Sequence, residues 1–191
     1  MNQIKLIVGL GNPGPDYHKT RHNAGEWLVE QLLAQTGDKL LKEKKFHGLF
    51  NTIKIAEQTC HILVPTTFMN LCGQSVAATI RFYKLKPEEV LVVHDELDFP
   101  AGQARLKADG GHGGHNGLRD IINHLGTRSF YRLRLGIGHP GHKDRVSAYV
   151  LGCPSKKDKE AIQHSIDDAL NTVSDLLQGH FEMAMRYLHN D

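Results

Sequence analysis

No apolar run in the chain approaches the ~18–20 residues that a membrane-spanning helix requires, so a helical span is excluded. Cysteine is scarce: Cys60, Cys72 and Cys153 are the only three, an odd number without metal-ligand spacing. That argues against a disulfide framework and for reduced thiols in a cytosolic protein. Charge bias is slight as well. Lysine plus arginine number 23 against 21 acidic residues, a net charge of +2, too little to announce a nucleic-acid partner by itself. The first apolar stretch, Ile4 to Leu10, runs into glycine and proline with no small-residue cleavage site. A signal peptide is therefore not expected, and a cytoplasmic location is. Internal repeats and low-complexity tracts are lacking, which leaves no linker to divide the chain.

What remains is an ordinary globular composition, 40% hydrophobic and 23% charged, in 191 residues. That length suits one domain, residues 1–191. Continuous β-branched runs at Ile4–Leu10, His61–Val64 and Val90–Val93 suit strands buried on both faces. Phe46–Ala56 and Tyr131–Ile137 alternate, as half-exposed or edge strands do. Helical spacing occupies Ala24–Gln35, Gln74–Tyr83, Gly117–Leu125 and Lys156–Leu177, with a short last helix over Phe181–Leu188. Ile162, Ile166, Leu170, Val173 and Leu177 form one apolar stripe of the long helix. The expected fold is a single α/β domain with a mixed, mostly parallel twisted sheet flanked by helices.

Two glycine clusters stand out. Gly9-Leu10-Gly11-Asn12-Pro13-Gly14 matches the G-x-G-x-x-G dinucleotide fingerprint. That fingerprint needs a helix directly behind it and an acidic residue ~20 positions on. Here Pro15 follows, the helix starts near Asn23, and Lys39–Lys45 is basic, so an oxidoreductase reading is disfavoured. The second cluster, Gly110 to Gly117, surrounds His112, His115 and Asn116. It reads as a flexible loop or as backbone that approaches a ligand closely. The H-x-x-H pair has no further ligand to complete a zinc site. Asn116 can cap the next helix or present its amide to a substrate.

Together these blocks resemble the bacterial peptidyl-tRNA hydrolase family. The likeness rests on Gly9–Gly14 with Tyr17 and Thr20-Arg21-His22-Asn23-Ala24-Gly25, on Pro65-Thr66-Thr67-Phe68-Met69-Asn70, on His94-Asp95-Glu96-Leu97-Asp98, and on Gly110–Leu118 followed by Arg132–Gly138. It implies an enzyme that cleaves the ester joining a peptide to the 3′ ribose of tRNA, so recycling tRNA in translation. It further implies a cytosolic monomer with no metal and no cofactor.

The residues suit that chemistry. A nucleophile elbow of the form G-x-S-x-G is absent, which fits direct attack by water rather than a covalent intermediate. A base poised near neutral pH is then needed, and histidine fits best. Thirteen histidines are available, and residue chemistry alone does not choose among them. The resemblance chooses His22. Asp95 follows a buried-type strand, where α/β active sites form, and can orient a histidine or simply cap a turn. By resemblance Asp95 pairs with His22. Asn70 and Asn116 would hold the substrate and the developing oxyanion, and Asn12 would read the first peptide linkage. Tyr17 and Phe68 would line the cleft, although core packing suits both side chains equally. Lys107 and Arg134 would bind acceptor-stem phosphate. Cys72, Glu96 and Asp109 depart from the family's common residues. The competing reading is a non-catalytic RNA-binding relative; His22, Asp95 and the three matched asparagines argue against it.

Overall fold

The computed structural model describes residues 2–189. Seven strands form one sheet in the order β2-β3-β4-β1-β5-β7-β6. Its centre is parallel: β1 (Leu6–Gly9) lies between β4 (Gln58–Pro65) and β5 (Val90–Glu96), and β7 (Tyr131–Gly136) joins β5. β3 (Gly48–Ile55) runs antiparallel to β4. The edges are the short β2 (Leu41–Glu43) and β6 (Ala104–Lys107), both antiparallel to their neighbours. The α/β class and the mixed sheet follow the expectation.

Both faces of the central strands are buried, as their unbroken apolar runs require. Leu91 and Val93 of β5 point into one core, Val90 and Val92 into the other. The first core is roofed by α1 (Ala24–Thr36), α5 (Lys156–Asn171) and α6 (Val173–Gln178); the second by α2 (Gly73–Tyr83) and α3 (Asn116–Leu125). β1 leads into α1 on one face, whereas its neighbour β4 leads into α2 on the other. The chain therefore parts beyond the carboxyl ends of these strands, where an open α/β sheet leaves a crevice.

Four expectations need correction. β2 and β6 were not expected, because edge strands of three and four residues with polar members leave almost no periodic signal. The strand expected from Phe46 begins at Gly48, and Phe46 sits in a 3-10 turn with its ring in the α2 core. The long last helix breaks at Thr172, whose hydroxyl bonds back to Ala169 O at 2.7 Å. Its apolar stripe crosses the break, so the pattern alone could not reveal it. Asn116 begins α3, but His115 caps it.

Gly9 of the first glycine cluster and Gly25 prove to be packing devices. A Cβ on Gly25 would lie 2.1 Å from Val93 O, and one on Gly9 2.6 Å from Val29 Cγ2. These glycines let the start of α1 lie against the ends of β1 and β5. We expect Gly25→Ala to force α1 outward, costing about 1–3 kcal/mol and lowering the midpoint of urea unfolding. An unchanged midpoint would mean that α1 does not need this close approach.

Candidate active site

His22 sits in a 3-10 turn, Arg21–Asn23, that runs directly into α1. The close packing of that helix brings His22 to the end of β5, where Asp95 is the penultimate residue. His22 Nδ1 lies 2.9 and 3.0 Å from the two Asp95 carboxylate oxygens. Both side chains are buried, His22 at 7% and Asp95 at 3% exposure. A second ring completes the group: His115 Nε2 lies 2.9 Å from Asp95 Oδ1.

The protons can be placed by elimination. His115 Nδ1 accepts the backbone N–H groups of Gly117 and Leu118, at 3.1 and 3.3 Å, as the N-cap of α3. Its Nε2 must then carry the proton it gives to Asp95. His22 donates from Nδ1 to the same carboxylate, which leaves Nε2 as its basic nitrogen. Burial disfavours the charged form of His22, but the Asp95 carboxylate outweighs it and raises the imidazole above its ordinary value. Burial likewise opposes ionised Asp95, yet its two histidine partners hold its carboxyl far below the usual range. His94, fully buried beside them, is pushed down to about 3 by desolvation and then by His115, so it stays neutral. Its Nδ1 donates to Asp95 O at 2.7 Å.

His22, Asp95 and His115 have the composition of a small metal site, with ligand atoms close together. The proton placement argues otherwise. A cation on His115 Nε2 would have to displace the proton that the α3 cap fixes there. The group is better suited to moving protons than to holding a metal.

A cleft of about 490 Å³ opens over this group. Asn12, Tyr17, Phe68, Asn70 and Asn116 line it together with His22 and Asp95. Two of the amides are oriented. Asn12 Oδ1 accepts Met69 N at 2.7 Å, and Asn116 Oδ1 accepts from the Arg119 guanidinium at 3.1 Å. In each the Nδ2 donor is left for whatever enters. Phe68 is 51% exposed and meets Tyr17 edge-on at 6.1 Å, so it belongs to the cleft mouth and not to the core. Val146, Ser147, Val150 and Leu151, on and just after the short α4 (Val146–Val150), also line the cleft.

The sequence model of the family described as peptidyl-tRNA hydrolase matches residues 6–191. The chain belongs to the peptidyl-tRNA hydrolase family. It is 57% identical to peptidyl-tRNA hydrolase of Coxiella burnetii over 188 residues, covering 98% of each chain. With the Vibrio cholerae enzyme it shares 52% over 187 residues, covering 97% of this chain and 95% of that one. The crystal structure of peptidyl-tRNA hydrolase from Acinetobacter baumannii superimposes with a TM-score of 0.96 at 49% identity, over 98% of this chain and 95% of that one.

Two of the residues matched to the peptidyl-tRNA hydrolase pattern lie outside the cleft. Lys107 and Arg134 project from the β6–β7 part of the sheet, on the face that also carries His94. Arg134 lies 3.7 Å from the Glu96 carboxylate, which gives one of the family departures a partner. Lys107 faces Arg132 across the strand pair. A Cβ on Gly110 would lie 2.6 Å from Lys107 Nζ and 3.0 Å from Arg132 NH1, so these two cationic heads converge on one glycine. Arg132 is only 1% exposed, and its Nε and NH1 have no hydrogen-bond partner. Cys72 is buried with its thiol pushed up to about 12 by desolvation, which makes it inert. Asp109 accepts a hydrogen bond from Gly110 N and adds negative charge near Arg132.

Three residues that sequence reasoning passed over matter here. His115 was visible only as half of an H-x-x-H pair, although its place just before a helical pattern marks a capping position. Asn23 is wholly buried and clamps the Asn12 backbone, accepting from its N and donating to its O, both at 2.9 Å. Arg132 opened one of the matched blocks, but nothing in the sequence marked its guanidinium as buried beside Lys107.

Proposed function

We propose that the protein hydrolyses the ester joining the peptide to the 3′ ribose of tRNA, with His22 as general base. The observation that carries the reading is a buried His22–Asp95 pair whose remaining imidazole nitrogen serves a cleft lined with amide donors. Water in the cleft gives a proton to His22 Nε2 as its oxygen attacks the acyl carbon. The Asp95 carboxylate stabilises the imidazolium that forms. Asn70 and Asn116 donate to the developing oxyanion, and Asn12 donates to the first peptide linkage of the substrate. The intermediate collapses, the acyl–oxygen bond breaks, and the proton passes to the departing ribose oxygen. Peptide and free tRNA leave. Tyr17 and Phe68 offer aromatic faces at the cleft mouth to the terminal base or to peptide side chains.

Lys107 and Arg134 hold phosphates of the acceptor stem in this reading, and the buried Arg132 beside Lys107 adds positive charge nearby. A local patch of cations suffices despite the small net charge, because screening limits each phosphate to nearby partners. Cytoplasmic location and a monomeric state belong to the same reading; sedimentation tests the second. Cleavage of purified peptidyl-tRNA with EDTA present and no nucleotide added tests the activity. Failure to release peptide under those conditions would remove the proposal.

The phosphate-binding cations make a separate prediction. KM for full-length substrate should rise with salt, while kcat at saturation changes little. Lys107→Ala should raise KM and lower the slope of log KM against log salt by about 0.7–0.9, the share of one neutralised phosphate. A salt-independent KM in the wild-type protein would contradict the phosphate assignment.

A further inference from the structure

Arg21 stands immediately before His22, and its side chain does unusual work. Its backbone N–H donates to Gly152 O at 3.0 Å, and its NH1 donates to Tyr149 O at 2.9 Å. The guanidinium carbon lies 3.9 Å over the Tyr149 ring. Tyr149 in turn donates its hydroxyl to Ile137 O at 2.6 Å. The joint is closed on both sides by glycine. A Cβ on Gly152 would come within 3.1 Å of Arg21 NH1, and one on Gly138 within 3.0 Å of the Tyr149 hydroxyl. Arg21 makes no ion pair among the described residues; its charge is directed at a ring and a carbonyl.

This matters because α4 cannot hold itself in place. It is a five-residue helix without a side-chain cap, too short to be stable alone. Yet Val146, Ser147, Val150 and the following Leu151 form part of the cleft wall. We propose that Arg21 is a positioning residue, locking the α4 wall against the turn that carries His22 so that the cleft over the base keeps one width. The planar guanidinium is suited to this. It stacks on the ring and donates in its own plane to the carbonyl, which an ammonium cannot do at once.

The inference rests on His22 being the base, and the experiment separates the two. Hydrolysis of peptidyl-tRNA is measured for Arg21→Met, Arg21→Lys, Tyr149→Leu, Tyr149→Phe and the Arg21→Met/Tyr149→Leu pair, each over a salt series. Arg21→Met should lower kcat/KM about ten- to a hundredfold, since displacement of a cleft by ~1 Å is costly. Arg21→Lys should recover part of that loss. Tyr149→Leu should resemble Arg21→Met, and Tyr149→Phe, which keeps the ring, should lose less. The pair should be no worse than the poorer single variant, because both changes break one joint. If Arg21→Met fails to fold, Arg21→Lys and Tyr149→Leu carry the comparison.

Wild-type kcat/KM in Arg21→Met or Tyr149→Leu overturns the proposal, as does a pair whose losses multiply. A shallower salt dependence in Arg21→Met also overturns it, since that would make Arg21 a phosphate ligand. Full kcat in His22→Ala would instead remove the base assignment, while coupling between Arg21 and Tyr149 would still be measurable.

Discussion

His22→Ala is expected to lower kcat for peptidyl-tRNA by about 10²–10⁴, the range that a positioned general base supplies. RNA binding should survive, because the cations of the β6–β7 face do not touch His22. Single-turnover cleavage and a filter-binding titration of the same variant separate the two effects. An unchanged kcat would discard the base assignment. The wild-type pH profile gives a second check. His22 works as a base only when neutral, and its pKa is raised by the Asp95 carboxylate against the opposing effect of burial. The acid limb of kcat/KM should therefore lie above the ordinary histidine value of ~6.5, with activity falling as pH drops through it. Stability should move the other way. A group whose folded pKa is raised contributes its stability fully below the unfolded value and loses it as pH rises through the folded one. The pairing of His22 with Asp95 thus adds most stability below the ordinary histidine value and above the ordinary carboxyl value, where His22 is charged and turnover is weak, and less at lower pH, because the depressed Asp95 carboxyl loses its own contribution as pH falls.

Asp95→Asn should cut kcat by about 10²–10⁴ as well, by a different route. Two rings donate N–H groups to this one carboxylate, His22 from Nδ1 and His115 from Nε2. An asparagine with its oxygen at the Oδ1 position can still accept from both rings, but its amide then sets a second donor 3.0 Å from His22 Nδ1, where Oδ2 now accepts. His115 is fixed by the α3 cap; the change therefore falls on His22, which turns or switches its proton to Nε2. Loss of the carboxylate charge also removes what raises the His22 pKa. The acid limb should shift to lower pH while the plateau collapses. A variant with a wild-type plateau and an unmoved limb would show that Asp95 neither orients nor charges the base.

Much of this protein was legible in the order of its residues. The α/β class followed from largely apolar runs at Ile4–Leu10 and Val90–Val93, which suit strands covered on both faces. The motifs were long and ordered enough to point to His22, Asp95, Asn12, Asn70 and Asn116, which line one cleft. Short edge strands and the break at Thr172 were not legible, because three or four residues that pair through a neighbour's backbone leave no period, and the apolar stripe runs across the break. The same limit hid the second ring on Asp95. His115 sits 20 positions from Asp95, and its proton is set by the two N–H groups of a helix end. The residue types and their chemistry were thus determined along the chain. Which nitrogen carries a proton, which amide end faces the cleft, and which cation lies beside Lys107 were decided by hydrogen bonds and close approaches between distant segments, and these exist only once the sheet and its two helical layers have packed.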